Sequence, residues 1–149
     1  MASQTAIRIS LLITALVVCF DTHAECNGPQ NQPSEQIHIA FGMNSHKVDV
    51  AERVRLGEWV SKANAKYAIQ KWVTVVGSAS QAERNTNALA MKRAVTVAQD
   101  ALADGLVSAP LQVKTQIYPV ANPGQAGAES REVTVEISPG CPNDCCDGQ

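Results

Sequence analysis

Residues 72–105 read WVTVVGSASQAERNTNALAMKRAVTVAQDALADG, and this stretch decides the fold class. It begins with a near-continuous run of β-branched and aromatic residues that stops at Gly77, a pattern typical of a central strand buried on both faces. Asn85 or Thr86 can cap the helix that follows, and Gly105 is placed to end it. The side chains expected on the core side of that helix are Leu89, Val95, Ala98 and Leu102. A buried strand leading directly into a helix predicts a layered fold of helices and strands.

The flanking sequence extends this pattern in both directions. Residues 37–41 and 133–137 alternate apolar and polar side chains, as residues 111–118 do, and each segment is predicted to be a strand. Residues 48–67 have helical periodicity, with a core stripe of Val50, Val54, Leu56, Trp59, Val60, Ala63 and Tyr67. Trp59 and Trp72 are both expected to be core anchors. The order strand, helix, strand, helix, strand, strand predicts an α+β or α/β sheet with two helices on one side.

The N-terminus has the organisation of a cleavable secretory signal peptide. Arg8 is the only charge before the apolar run at residues 9–20, which is about half the roughly 20 residues that span a membrane. Thr22 and Ala24 are small residues at the −3 and −1 positions, so cleavage is expected after Ala24. An uncleaved anchor is the alternative interpretation. We therefore expect an exported mature chain with no membrane span.

Four regions follow from this division. Residues 1–24 are the signal, residues 25–36 an extended leader rich in Gly, Pro and polar side chains, residues 37–138 the folded domain and residues 139–149 a Cys-rich tail. The formal net charge of −2 gives no basis for nucleic-acid binding.

Cysteine usage agrees with export. Of the 5 cysteines, Cys19 lies in the signal, which leaves an even number in an oxidising compartment. A bridge between adjacent Cys145 and Cys146 would be strained. Cys26 is therefore expected to pair with Cys145 or Cys146, and Cys141 with the other. A zinc site or a redox pair in the tail is less favoured, since the tail has neither a histidine nor Cys-x-x-Cys spacing, and we expect no metal.

Three short segments carry a resemblance to a known family. They are GSAS at residues 77–80, LAMKRA at residues 89–94 and SREV at residues 130–133. These resemble the landmarks of the OmpA-like, peptidoglycan-associating C-terminal domain, whose usual forms are G-H-T-D, N-x-x-L-S-x-x-R-A and N-R-R-V-E. The resemblance covers residues 37–138. It implies an α+β, two-layer βαβαββ fold in which a mixed sheet carries its helices on one face.

The resemblance also implies a ligand site. In that family, an aspartate and an arginine hold the diaminopimelate side chain of peptidoglycan, because a guanidinium can bind a carboxylate through two parallel hydrogen bonds. Arg93 matches the family arginine, and Arg131 the first arginine of N-R-R. Ser80 stands where the family has its aspartate and Thr86 where it has an asparagine. These four residues are the candidate ligand site, with Glu83 as a substitute for the absent aspartate.

Two function hypotheses follow. The first is a non-catalytic structural or protein-binding part of a periplasmic, outer-membrane-associated assembly, such as a secretion or conjugation apparatus, with envelope proteins as partners. The alternative is weak peptidoglycan binding through Arg93. Neither His38 nor His46 sits in a nucleophile or metal motif, so we expect no enzyme and no cofactor.

Overall fold

The computed structural model describes Cys26, residues 28–120 and residues 127–146. The expected signal peptide at residues 1–24 lies outside the described residues. The regular elements are β1 (Glu35–Ala40), α1 (Val50–Lys66), β2 (Gln70–Ser80), α2 (Thr86–Ala103), β3 (Leu111–Tyr118) and β4 (Glu132–Pro139). Short 3₁₀ turns lie at Ala128–Arg131 and Pro142–Asp144. The predicted order of strands and helices is confirmed.

The four strands form one mixed sheet in the order β1-β4-β2-β3. β2 is antiparallel to β4 and parallel to β3, while β1 is antiparallel to β4. The predicted internal position of β2 is therefore confirmed. The main core lies between one face of this sheet and the two helices, where alternate strand side chains meet Leu56, Val60 and Val97. The chain has the predicted α+β architecture.

The prediction that β2 is buried on both faces is wrong. Val73 and Val75 are fully buried, but Trp72 is 52% exposed, and Thr74 and Val76 are half-buried. Both helices cover the same face, so the β-branched residues on the opposite face keep contact with solvent. Trp72 is consequently not a core anchor.

The predicted core faces of the helices are also partly wrong. Val50 and Val54 of α1 are 79% and 57% exposed, and Val95 and Leu102 of α2 are 38% and 42% exposed. Leu89 and Ala98 are buried as predicted, and α2 also buries Ala90, Arg93, Ala94, Val97 and Ala101. Trp59 is half-buried against the main core, as expected for an anchor.

Gly77 explains why small residues of α2 face the sheet. A Cβ atom at this position would lie 2.2 Å from the Ala90 carbonyl oxygen and 2.7 Å from the Ala94 Cβ. The backbones of β2 and α2 thus approach more closely than any side chain at residue 77 allows. Ala90 and Ala94 are the α2 residues at this contact, whereas Val95 and Leu102 are partly exposed.

Local capping sets the helix boundaries. The Asp49 side chain accepts a hydrogen bond from the Ala51 N–H at 2.9 Å, which caps α1. Asn85 occupies the N-cap position of α2 in a left-handed conformation, with φ of 51°, and its side chain makes no capping hydrogen bond. Gly105 follows α2 with φ of +96°, the conformation for which glycine is favoured at a helix end.

One disulfide joins the two ends of the domain, and a second closes a short loop within the tail. Cys26 is bonded to Cys145 and Cys141 to Cys146, one of the two arrangements that the sequence leaves open. The first bridge closes a sequence separation of 119 residues, for which chain entropy predicts about 4 to 5 kcal/mol of stabilisation. The Cys146 N–H also donates to the Pro29 carbonyl at 2.9 Å. The segment before β1 is therefore tied to the tail by covalent and hydrogen bonds.

Within the described residues, no helix is both long and apolar enough to cross a membrane.

Candidate functional site

Arg93 of α2 lies in the interior of the domain, with none of its surface exposed. Its Nε donates to the Ser45 carbonyl at 2.7 Å, Nη1 donates to the Ser78 carbonyl at 2.8 Å, and Nη2 donates to the Gly42 carbonyl at 3.0 Å. Nη1 and Nη2 also donate to the two carboxylate oxygens of Glu83, at 2.9 and 2.7 Å. An arginine side chain has five N–H donors. Each of them has an acceptor inside this protein.

Glu83 is the anionic partner of this guanidinium and is itself 5% exposed. Besides the two bonds from Arg93, its carboxylate accepts from the backbone N–H groups of Asn44, at 2.7 Å, and Ser80, at 3.1 Å. Burial opposes its ionisation, but the hydrogen bonds from Arg93 and from these two N–H groups outweigh burial and lower the pKa of Glu83. Glu83 is therefore held as a carboxylate.

The turn between β2 and α2 brings Glu83 over the end of the strand. The Glu83 N–H donates to the Ser80 carbonyl at 2.9 Å, and the Ser80 hydroxyl accepts from the Ala82 N–H at 3.2 Å. The Thr86 hydroxyl donates to the Glu83 carbonyl at 2.9 Å. Serine and threonine stabilise turns through such local bonds to the backbone. The hydroxyls of Ser80 and Thr86 thus hold the turn that carries Glu83.

A second loop closes over the same pair. Residues 42–45, between β1 and α1, supply two carbonyls to Arg93 and one N–H to Glu83. The Asn44 side-chain oxygen also accepts from the Arg84 N–H at 2.8 Å. The Glu83–Arg93 pair therefore joins the loop before α1, the end of β2 and the middle of α2.

Three of the four candidate residues from the sequence meet in this network, and one lies apart. Ser80, Thr86 and Arg93 each hydrogen-bond to Glu83. Arg131 ends the first 3₁₀ turn, and its carbonyl accepts from the Phe41 N–H at 2.8 Å. No hydrogen bond or ion pair joins Arg131 to the other three in the part of the chain that the structure describes. Sequence reasoning missed the carbonyls of Gly42, Ser45 and Ser78, because backbone groups leave no signal in residue type.

An open groove of about 750 Å³ lies beside this network, at the start of α2. It is lined by Asn44, His46, Arg84, Asn85, Thr86, Asn87, Ala88, Leu89 and Lys92. Neither Arg93 nor Glu83 is among these residues, and none of them is acidic. Arg84 and Lys92 are exposed cations, and Arg84 lies beside the N-terminus of α2, which itself carries partial positive charge. The groove is therefore electropositive and suits a carboxylate-bearing ligand.

Solved structures of other proteins share this fold. The chain is similar to the OmpA-like domain of FopA1 from Francisella tularensis, with a TM-score of 0.52 and 19% identity over 72% of this chain and 73% of that one. It is similar to the cell wall anchor of the T6SS from Pseudomonas aeruginosa, with a TM-score of 0.54 and 18% identity over 71% and 82% of the two chains. The C-terminal domain of Helicobacter pylori MotB gives a TM-score of 0.55 and 13% identity over 72% and 88%.

These likenesses establish the OmpA-like fold, and the fold implied by the sequence resemblance is thereby confirmed. No protein-family profile matches the chain. No curated protein matches it in sequence either.

Proposed function

We propose that this chain is an exported, non-catalytic OmpA-like module that serves a cell-envelope assembly by binding another envelope protein. The observation that carries the proposal is the state of Arg93. In the family that the sequence resembles, the corresponding arginine holds the wall peptide. Here a ligand carboxylate would have to displace Glu83 from a buried pair, and breaking such a pair costs about 3 to 5 kcal/mol. Wall binding through Arg93 is therefore disfavoured.

Several features support a place in the envelope. The signal-like N-terminus and the two disulfides suit an oxidising compartment outside the cytoplasm, for which the periplasm is the setting we propose. One structure with the same fold is the cell wall anchor of a T6SS. A secretion or conjugation apparatus is accordingly the kind of assembly we propose.

A non-catalytic role accords with the placement of the histidines. His38 lies on an edge strand, where Nδ1 is 3.1 Å from the Thr134 hydroxyl and 3.0 Å from a Glu132 oxygen. His46 lines the groove among amide and cationic side chains. His38 is not among the residues that line the groove, and no hydrogen bond joins His46 to a hydroxyl or thiol within the described residues.

The groove favours a second candidate function, which is peptidoglycan binding without Arg93. Arg84 and Lys92 are free to approach carboxylates of a stem peptide, and Thr86 lines the same groove. Of the four ligand residues predicted from the sequence, this candidate function retains Thr86 as a ligand contact. It assigns Arg93 and Ser80 to the framework behind the groove.

Sedimentation with insoluble peptidoglycan separates the two functions. We expect the purified mature chain to stay in the supernatant. Co-sedimentation that diaminopimelate competes away would instead support the second candidate. An Arg84→Ala/Lys92→Ala variant should then lose binding without losing stability, whereas retained binding in that variant would assign the ligand elsewhere.

Site-specific photo-crosslinking in cells tests the protein-binding proposal directly. A photoreactive residue at position 84 or 92 is expected to trap one defined envelope protein. A matched probe at exposed Glu58 of α1 is the control, and the same adduct should not form there. A chain that forms no adduct from the groove and diffuses as a free monomer in the periplasm would contradict the proposal.

A further inference from the structure

The two disulfides differ in their access to solvent. Cys26 is exposed and Cys145 is half-buried, whereas Cys141 and Cys146 are only 4% and 7% exposed. Cys145 has extended backbone, with φ of −134° and ψ of 114°. Successive side chains of an extended segment point in opposite directions. One cysteine of the adjacent pair therefore bonds outward to Cys26, and the other bonds inward to Cys141.

The outer bridge holds a segment that has few other contacts with the tail. The segment is residues 28–34, which precede β1. Its backbone contacts are the bond from the Cys146 N–H to the Pro29 carbonyl, the bond from the Gln32 N–H to the Pro139 carbonyl at 3.1 Å, and an isolated bridge between Asn31 and Gly140. Within the described residues, Cys26–Cys145 is the covalent tie between this segment and the tail.

We propose that Cys26–Cys145 is a thiol-exchange site for a dithiol reductant. Opening this bridge releases residues 28–34 from the tail, while Cys141–Cys146 remains closed. The selectivity comes from burial, because a thiolate must reach a sulfur atom along the S–S axis before it can attack. Cys26 is an exposed residue, whereas both cysteines of the inner bridge are buried.

The exchange balances in two steps. A thiolate of the reductant attacks Sγ of Cys26, a mixed disulfide forms, and Cys145 leaves as a thiolate. The second thiolate of the reductant then attacks the reductant sulfur that is bonded to Cys26 in the mixed disulfide, and Cys26 leaves as a thiolate. The reductant loses two electrons and becomes a disulfide. Its two protons pass to the Cys26 and Cys145 thiolates.

Titration of the full mature chain with dithiothreitol tests the proposal. Samples are quenched in acid, alkylated and mapped by mass spectrometry. With each dithiothreitol concentration applied for the same short time, half-labelling of Cys26 and Cys145 is expected at a concentration about ten-fold lower than that for Cys141 and Cys146, because access sets the rate of attack. Hydrogen exchange in residues 28–34 should accelerate at that point, with β4 still protected. Simultaneous labelling of all four cysteines, or unchanged exchange in residues 28–34, would overturn the proposal.

Paired serine and alanine variants provide the matched comparison. Cys26→Ser/Cys145→Ser is expected to show fast exchange in residues 28–34 before any reductant is added. Cys141→Ala/Cys146→Ala should still open its outer bridge at the same low reductant concentration. A loss of the whole circular dichroism signal when the outer bridge opens would mean that the domain unfolds without this bridge. Cys26–Cys145 would then be a disulfide required for folding and not an exchange site.

Discussion

The Glu83 carboxylate binds the Arg93 guanidinium through two parallel hydrogen bonds, at 2.7 and 2.9 Å, with 1% and 0% of the two side chains exposed. Three carbonyls and two backbone N–H groups complete the coordination of the pair. The arrangement is the one by which an arginine would hold the carboxylate of a ligand. Here the acceptor comes from the same chain.

Breaking this pair is expected to destabilise the domain strongly. Arg93→Ala leaves a buried carboxylate, and Glu83→Ala leaves a buried guanidinium. Each should lower the free energy of unfolding by about 3 to 5 kcal/mol, measured by urea denaturation. Arg84→Ala, at an exposed neighbouring position, should change it by no more than about 0.5 kcal/mol. An Arg93→Ala protein as stable as the wild type would contradict the internal role.

Replacing both members of the pair should cost less than the sum of the single replacements. In Glu83→Leu/Arg93→Met no unpaired charge stays buried, since both charges are removed together. A double-mutant cycle with Glu83→Leu and Arg93→Met as its single variants is therefore expected to give a coupling energy of about 2 kcal/mol or more. Additive single and double effects would show that the two side chains act independently.

Acid should weaken the domain through Glu83. Its pKa is lower in the folded protein than its ordinary value of 4.5, so its contribution is complete above that value and is lost as pH falls through the folded pKa. The difference in unfolding free energy between wild type and Glu83→Gln should therefore stay constant above pH 4.5 and shrink over the acidic range below it. Urea titrations at several pH values measure it, and a difference that stays constant across that range would contradict the assignment.

The close contact between β2 and α2 predicts that Gly77→Ala is poorly tolerated. The added Cβ would meet backbone atoms of α2, including the Ala90 carbonyl at 2.2 Å, so the helix must move. We expect a loss of about 3 kcal/mol or more in thermal or urea unfolding. Gly42→Ala is the control, because the nearest atom to its new Cβ is 3.7 Å away. Equal stability of the two variants would argue against the close approach.

The two tryptophans should report opposite environments. In Trp59→Phe the remaining indole, Trp72, is 52% exposed, so its emission should lie at longer wavelength and be quenched readily by iodide. In Trp72→Phe the remaining Trp59 packs against the core and should resist the quencher. Trp72→Ala should cost about 0.5 kcal/mol or less and Trp59→Ala about 2 kcal/mol or more. Equal quenching in both proteins would contradict the finding that Trp72 lies on an open face of the sheet and Trp59 against the core.

Local patterns account for the elements and their order. The β-branched run that ends at Gly77 predicted an internal strand, and the periodicity after Asn85 predicted α2, because strand and helix periods are local properties. The same patterns could not show that one face of β2 is open. The exposure of that face depends on where both helices pack, and the prediction that Trp72 is buried was wrong for this reason.

The candidate site was likewise predicted in part from the sequence. Motif spacing brought Ser80, Thr86 and Arg93 into one hypothesis, and the structure places all three against Glu83. The direction in which Arg93 points could not follow from spacing, since its other acceptors are carbonyls from segments distant in the chain.

The amino-acid sequence alone determined the order of strands and helices, the signal-like N-terminus and the cysteines available to link the two ends of the chain. These follow from periodicity, residue size and oxidation chemistry, which act over short stretches of chain or through a few reactive side chains. Tertiary structure decided that Cys26 bonds to Cys145 and that Glu83 satisfies Arg93. Both outcomes depend on burial, because burial determines which sulfur atoms meet and requires every donor of a hidden guanidinium to find an acceptor.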